Sequence, residues 1–238
     1  MLKTISRTLF SLVFPLHCEL CGRLLPSRES AGVCPSCEGR IALIASPHCP
    51  GCGRTSLGES ERCARCRDEK FHFDRAYACT FYESGVKEIL HGFKFGRKRF
   101  LAAFLSKIMT KFTQRHLKDG SWDLVVPVPM DKKKEFERGF NQSRVLSAAL
   151  AKKLALPHQP GVLRCSPSEK PQAFLNKSER RRNVQGRFFV NEAARVTSRN
   201  ILLVDDILTT GQTASACARA LKDAGANSVT VLAFARGV

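Results

Sequence analysis

Asp205 and Asp206 follow directly on an apolar run, Ile201-Leu202-Leu203-Val204, and precede Ile207-Leu208-Thr209-Thr210-Gly211-Gln212-Thr213. The run has the composition of a strand covered on both faces. A helix is predicted from about Gln212 to Ala224. Thr209, Thr210, Gly211 and Thr213 then offer hydroxyls and backbone N–H groups at the positive end of that helix, a cradle for a phosphate dianion. The carboxylates sit at the predicted strand tip, where open α/β sheets bind their ligands. A carboxylate pair there suits the vicinal hydroxyls of a ribose, with Mg²⁺ nearby. The plainer alternative is an ordinary strand–loop–helix joint with an acidic tip. Two carboxylates followed by Thr-Thr-Gly-x-Thr are more specific than that.

The second chemical pattern is a set of four Cys-x-x-Cys pairs: Cys18/Cys21, Cys34/Cys37, Cys49/Cys52 and Cys63/Cys66. One pair presents two thiolates to a metal from a single tight turn, and two pairs close a tetrahedral, structural Zn²⁺ site. Four pairs therefore imply two zinc ions. A disulfide scaffold, a redox role and an iron–sulfur cluster use the same residue type. Nothing marks the chain as secreted, and the repeated array argues against a redox pair. Pairing in sequence order and a cross-braced arrangement are both open, and the short, similar loops favour sequence order. His17, His48 and His72 are read as bystanders, and Cys79, Cys165 and Cys217 as small buried apolar residues.

The elements that must position these groups can be read around them. Residues 1–16 are expected to form a short amphipathic helix, with Leu2, Ile5, Leu9, Leu12 and Val13 on one face. The run is too short to span a bilayer and lacks a signal-peptide cleavage site. Residues 17–72 hold the cysteines, and residues 73–238 are long enough for one α/β domain. A strand is predicted from Arg75 to Tyr82, then helices over Glu83–Phe95 and Phe100–Leu117. Asp123-Leu124-Val125-Val126-Pro127-Val128-Pro129-Met130 reads as a strand running into a proline-stiffened loop. A basic loop with Lys132, Lys133 and Lys134 follows, then Arg138-Gly139-Phe140-Asn141-Gln142 and a helix to about Leu154. Arg138 is the best candidate there for a pyrophosphate, because a guanidinium grips phosphate oxygens in pairs. A long polar connection with Gln172-Ala173-Phe174-Leu175 and Arg180-Arg181-Arg182-Asn183 leads to a strand over Arg187–Val190. Its arginines are suited to closing over a pyrophosphate or to contacting nucleic acid.

The net charge is +18, and residues 76–238 hold 28 of the 39 Lys and Arg but 13 of the 21 Asp and Glu. The basic surface therefore belongs to the second domain, and polyanions are the expected partners. Phe93, Phe95 and Phe100 interleave with Lys94, Arg97, Lys98 and Arg99. That mixture serves either a core or a stacking surface for single strands.

Val204-Asp205-Asp206-Ile207-Leu208-Thr209-Thr210-Gly211-Gln212-Thr213 resembles the phosphoribosyl pyrophosphate (PRPP) loop of type I phosphoribosyltransferases. The order of parts across nearly the whole chain is similar to that of the ComF/GntX family: cysteine pairs, Pro127-Val128-Pro129, Arg138–Gln142, Gln172…Asn183, then the Asp205 loop. The resemblance implies a type I phosphoribosyltransferase fold, a mostly parallel sheet flanked by helices, behind a small double zinc ribbon. It implies a PRPP site of Asp205, Asp206, Thr209, Thr210, Gly211, Thr213, Val128, Pro129 and Arg138. Catalytic roles would fall to Asp205, Asp206, Arg138 and Arg180, with Mg²⁺ and two structural Zn²⁺. It further implies a cytoplasmic protein of natural competence that handles incoming single-stranded DNA, with competence or recombination proteins as partners. The residues alone leave three functions open. They are phosphoribosyl transfer to an unnamed acceptor, a PRPP-sensing DNA-binding module without chemistry, and nucleobase salvage.

Overall fold

The computed structural model describes residues 16–25, 31–58, 61–118, 120–167 and 186–237. The helix expected over residues 1–16 lies almost wholly outside them. So do Gln172–Asn183, Arg180 included.

The centre is β5 (Asn200–Leu208), whose residues Ile201 to Val204 are fully buried. It runs parallel to β2 (Leu124–Pro127) on one side and to β6 (Ser228–Arg236) on the other, and β6 runs parallel to β1 (Arg75–Phe81). The sheet order is β1-β6-β5-β2. Alternate side chains go to opposite faces. Leu202, Val204, Leu232 and Phe234 pack under α2 (Ser84–Lys94), α3 (Leu101–His116) and α5 (Gln142–Leu154). Ile201, Leu203, Val229 and Val231 pack under α6 (Gln212–Asp223). Both faces are covered, which explains why these strands read as continuous apolar runs. Because the strands are parallel, all four C-terminal ends emerge along one edge, with the loops to α2 and α6 at that edge.

Three local features differ from the expectation. First, β5 does not stop at Val204, because its pairing with β6 continues to Leu208 opposite Arg236. Asp205 and Asp206 are thus held by a strand rather than by a free tip. Second, Lys132–Arg138 is a short helix, α4, rather than a loop. Its first turn is capped by Asp131, whose carboxylate accepts from the Lys133 N–H at 2.9 Å. Third, the strand expected at Arg187–Val190 is β4 (Phe188–Val190), and it pairs antiparallel with β3 (Leu163–Cys165) instead of joining the main sheet.

The cysteines form two separate groups, each with its four sulfurs within 4.8 Å of one another. One is Cys18, Cys21, Cys34 and Cys37; the other is Cys49, Cys52, Cys63 and Cys66. Pairing is therefore in sequence order, and no histidine joins either group. Backbone N–H groups point at sulfur in each: Cys34 N to Cys18 Sγ at 3.4 Å and Cys63 N to Cys49 Sγ at 3.3 Å. Four converging thiols with amide donors around them fit a structural Zn²⁺ in both ribbons. The first ribbon docks on the α2–α3 joint. Glu19 pairs with Lys98 at 2.6 Å, and Glu38, at the end of α1 (Pro35–Glu38), pairs with Lys107 at 2.7 Å and Lys111 at 2.6 Å. The second ribbon docks on the sheet itself. Pro50 O accepts from Ala76 N at 2.8 Å, and Gly53 bridges to Tyr77.

Gly53 has φ +72°, and a Cβ there would lie 2.6 Å from Ala78 N. Gly22, in the first ribbon, has φ +69° but open space around it. Gly22→Ala is therefore expected to cost only the left-handed backbone term, about 1–2 kcal/mol. Gly53→Ala should cost clearly more, because the obstruction is backbone of β1. Thermal melts of the two zinc-loaded variants check this, and equal losses would mean that β1 does not hold the second ribbon rigidly.

Candidate functional site

Asp205 and Asp206 lie side by side in a low-exposure environment, so the two charges must be managed. Asp205 Oδ1 accepts from Ser143 Oγ at 2.8 Å and from the Asp206 N–H at 2.9 Å. Burial, and then the neighbouring Asp206 charge, push the Asp205 carboxyl up to about 7, against the lowering effect of those two donors. Asp206 is 9 % exposed and pairs with Lys94 Nζ at 2.8 Å. Lys94 is the last residue of α2, and Ser143 lies in the first turn of α5. The pair is thus clamped from two helices that reach it from different strands.

The loop that follows β5 is shaped for an anion. Thr209 and Thr210 are exposed, Gly211 is the left-handed cap of α6 at φ +79°, and α6 starts at Gln212. A twelve-residue helix presents its unpaired N–H groups here. Beneath the loop lies the buried Arg236. Its guanidinium donates to Leu208 O at 2.6 Å, to Gly237 O at 2.9 Å and to Thr209 O.

The opposite wall comes from the β2 end. The Val128 N–H donates to Val204 O at 2.9 Å, which keeps the proline-stiffened loop beside β5. Asn141 caps α5 by accepting from the Arg144 N–H at 3.2 Å, and its Nδ2 donates to Val128 O at 3.1 Å. Asp131 accepts from Arg187 Nη2 at 3.1 Å. Arg138 lies over the ring of Phe95 at 5.1 Å and donates to Gln142 Oε1 at 3.2 Å. Phe93 is buried in the core, whereas Phe95 is 58 % exposed and supports this arginine.

These walls enclose a cleft of about 200 Å³. Asp205, Asp206, Thr213, Val128, Pro129 and Arg138, all expected from the sequence, line it together. Thr209, Thr210 and Gly211 lie in the loop that leads to Thr213. Lys134 lines the cleft; Lys132 and Lys133 do not. Lys94, Ser143, Asp131 and Arg187 were missed. Lys94 looked like one member of a solvated charge run, and Ser143 is an ordinary helix residue until β5 is placed beside it. Cys165 was expected in a core but lines the cleft half-buried. The lining holds four cations (Lys94, Lys134, Arg138, Arg187) and three carboxyls (Asp131, Asp205, Asp206). Each carboxyl already has a partner inside the protein. The two four-cysteine groups are the only metal-ligating clusters among the described residues. The cleft lining thus carries one more cation than carboxyls.

Residues 9–67 match the double zinc ribbon domain, and residues 97–237 match the phosphoribosyl transferase domain. The chain is 28% identical over 228 residues to the DNA utilization protein YhgH of Escherichia coli O157:H7, covering 94% of this chain and 99% of that one. It is 24% identical over 225 residues to competence protein F of Haemophilus influenzae, covering 93% and 96%. Among solved structures it is similar to adenine phosphoribosyltransferase from Saccharomyces cerevisiae, with TM-score 0.38, 16% identity, and coverage of 58% of this chain and 69% of that one. The phosphoribosyl transferase match spans more than half of the chain, so the chain belongs to that family, with a double zinc ribbon ahead of the transferase domain.

Proposed function

We propose that the protein binds PRPP in this cleft and transfers its phosphoribosyl group, with release of pyrophosphate, in the service of DNA uptake. The observation that carries the reading is the Asp205–Asp206 pair set immediately before a helix N-terminus in a cation-lined cleft. The 5-phosphate would sit on the loop of Thr209, Thr210, Gly211 and Thr213. The ribose hydroxyls would face Asp205 and Asp206. Arg138 and Lys134 would face the pyrophosphate; Arg180, the other catalytic candidate, lies outside the described residues. The C1–O bond to pyrophosphate breaks as a bond from the acceptor to C1 forms, through a carbon with oxocarbenium character. The Asp206 carboxylate stabilises that positive charge, and the cations stabilise the departing oxygens. Mg²⁺ carried on the pyrophosphate would neutralise further leaving-group charge.

Single-stranded DNA is the proposed partner, and the cytoplasm the proposed site of action, with competence or recombination proteins beside it. The names of the relatives support this, as does the excess of Lys and Arg over Asp and Glu in residues 76–238. Retention on a single-stranded oligonucleotide is expected to fall steeply with salt. No retention at low salt would remove this part of the reading.

Asp205→Ala combined with Asp206→Ala is expected to abolish PRPP binding. Calorimetry showing undiminished affinity would refute the site assignment. Asp205 gives a separate expectation for stability. Its folded-state pKa lies above the value of about 3.9 for an unfolded aspartate. Its ionisation therefore costs nothing below about pH 4, and the cost grows until it is complete above about pH 7. Asparagine keeps the contact with Ser143 and removes the charge. Asp205→Asn should therefore melt higher than the parent at pH 8, with the gap closing toward pH 4, although PRPP affinity is lost. A gap that does not change with pH would show that the carboxyl titrates normally.

A further inference from the structure

The second ribbon meets the loop of residues 209–213 at Gly211 and its two flanks at Gly237 and Ser215. Phe71 packs against the Cys49, Cys52 and Cys66 cluster, stacks on Phe73 at 4.8 Å, and sits where a Cβ on Gly211 would meet it at 3.0 Å. Arg54 is part of the cysteine knuckle, since its carbonyl accepts from Cys49 N at 2.7 Å. Its Nη2 donates to Gly237 O at 3.1 Å, the same oxygen that accepts from Arg236. The His72 N–H donates to Ser215 Oγ at 3.1 Å, in the first turn of α6. The first ribbon forms its ion pairs with Lys98 in the α2–α3 connection and with Lys107 and Lys111 of α3, helices that cover the other face of the sheet.

We propose that the second ribbon backs the phosphate loop, with Phe71, Arg54 and Arg236 as positioning residues for the 5-phosphate end of the ligand. The proposal rests on the PRPP reading of that loop. Thr209 and Thr210 are exposed, so an unsupported loop would have to be ordered each time a phosphate bound. That ordering is a direct loss of affinity. The contacts remove it in advance. Arg236 holds the carbonyls of Leu208 and Thr209 on the inner side, Arg54 ties the same corner to the knuckle, and the Phe71 ring fixes the left-handed cap. Zn²⁺ in the second site, by fixing the knuckle, then sets the affinity of a site that it does not touch. Pyrophosphate, held by the β2 side of the cleft, gains nothing from this support.

The two ends of the ligand therefore separate this role from a merely structural one. Full-length, zinc-loaded protein is titrated with ribose 5-phosphate, with magnesium pyrophosphate and with PRPP, below the melting temperature of every variant. Phe71→Leu and Arg54→Met are each expected to weaken ribose 5-phosphate and PRPP about tenfold. Pyrophosphate affinity should stay within about twofold. Phe71→Tyr, which keeps the ring, should restore binding. Cys63→Ser, which breaks the second zinc site, should act like Phe71→Leu. Equal losses for both ligands, or unchanged ribose 5-phosphate affinity, overturn the proposal. Amide exchange at residues 209–213 reads the same support without any ligand. Faster exchange in Phe71→Leu and Arg54→Met is expected, and unchanged exchange overturns the proposal. Failure of the parent protein to bind PRPP would count against the functional reading, leaving the exchange result to decide the backing of the loop.

Discussion

The cleft depends on β5 being paired in parallel on both sides. A parallel neighbour on each edge sends its own C-terminal loop to the same end of the sheet. Leu208 and Arg236 terminate opposite each other, while β2 ends earlier, with Pro127 opposite Val204, which leaves Asp205 and Asp206 beyond the end of β2. The phosphate loop, the proline loop and the buried arginine share one corner because of that register. A slip of one residue in β5 would turn Asp205 and Asp206 to the opposite faces, away from Ser143 and Lys94, and would exchange the side chains that fill the two cores. The full burial of Ile201 to Val204 makes such a slip very costly, so the layers that cover the sheet also fix the position of the chemistry.

Placing two adjacent carboxyls at that corner creates an electrostatic problem that the surrounding helices resolve unequally. Lys94 reaches Asp206 and holds it as an ion pair with both partners largely withdrawn from water. Asp205 receives a neutral hydroxyl and a backbone amide, which are weaker than a cation, and its proton affinity rises. One carboxyl thus faces a cation, and the other, held by neutral donors, is pushed up to about 7.

Much of this was legible in the chain. The apolar strand, the carboxyl pair, the threonine–glycine loop and the four cysteine pairs are local patterns, and each says what it does within a dozen residues. The helix over Gln142–Leu154 and the order of the ribbons were likewise readable from spacing. What escaped depends on distance in sequence. Lys94 is separated from Asp206 by most of the domain, and Ser143 finds Asp205 only because α5 packs on the β5 side of β2. Asp131 and Arg187 pair across the β3–β4 connection. β6 was missed for another reason. Val229-Thr230-Val231-Leu232-Ala233-Phe234-Ala235 follows α6 so closely that nothing in the loop motif draws attention to it, although it forms the second edge of β5. Arg236 at its end is a lone arginine in the sequence and the floor of the phosphate loop in the fold.

The ribbons fit the same logic. A module of this size has little apolar core, and its cysteines make up much of what is buried in it. Four thiolates on a metal supply the missing folding energy, but they also yield a turn whose shape hardly varies. A rigid turn is useful where a neighbouring backbone must be approached closely. Gly53 brings the second knuckle against β1, closer than any side chain would permit, and that seating aligns Arg54 with Gly237 and Phe71 with Gly211. The first ribbon uses charge instead, with Glu19 and Glu38 reaching lysines around the α2–α3 joint that carries Lys94. Each ribbon therefore borders an element of the cleft from behind, one near the carboxyl side and one near the phosphate side. The zinc modules are in this way joined to the site through the same sheet edge and helices that build it.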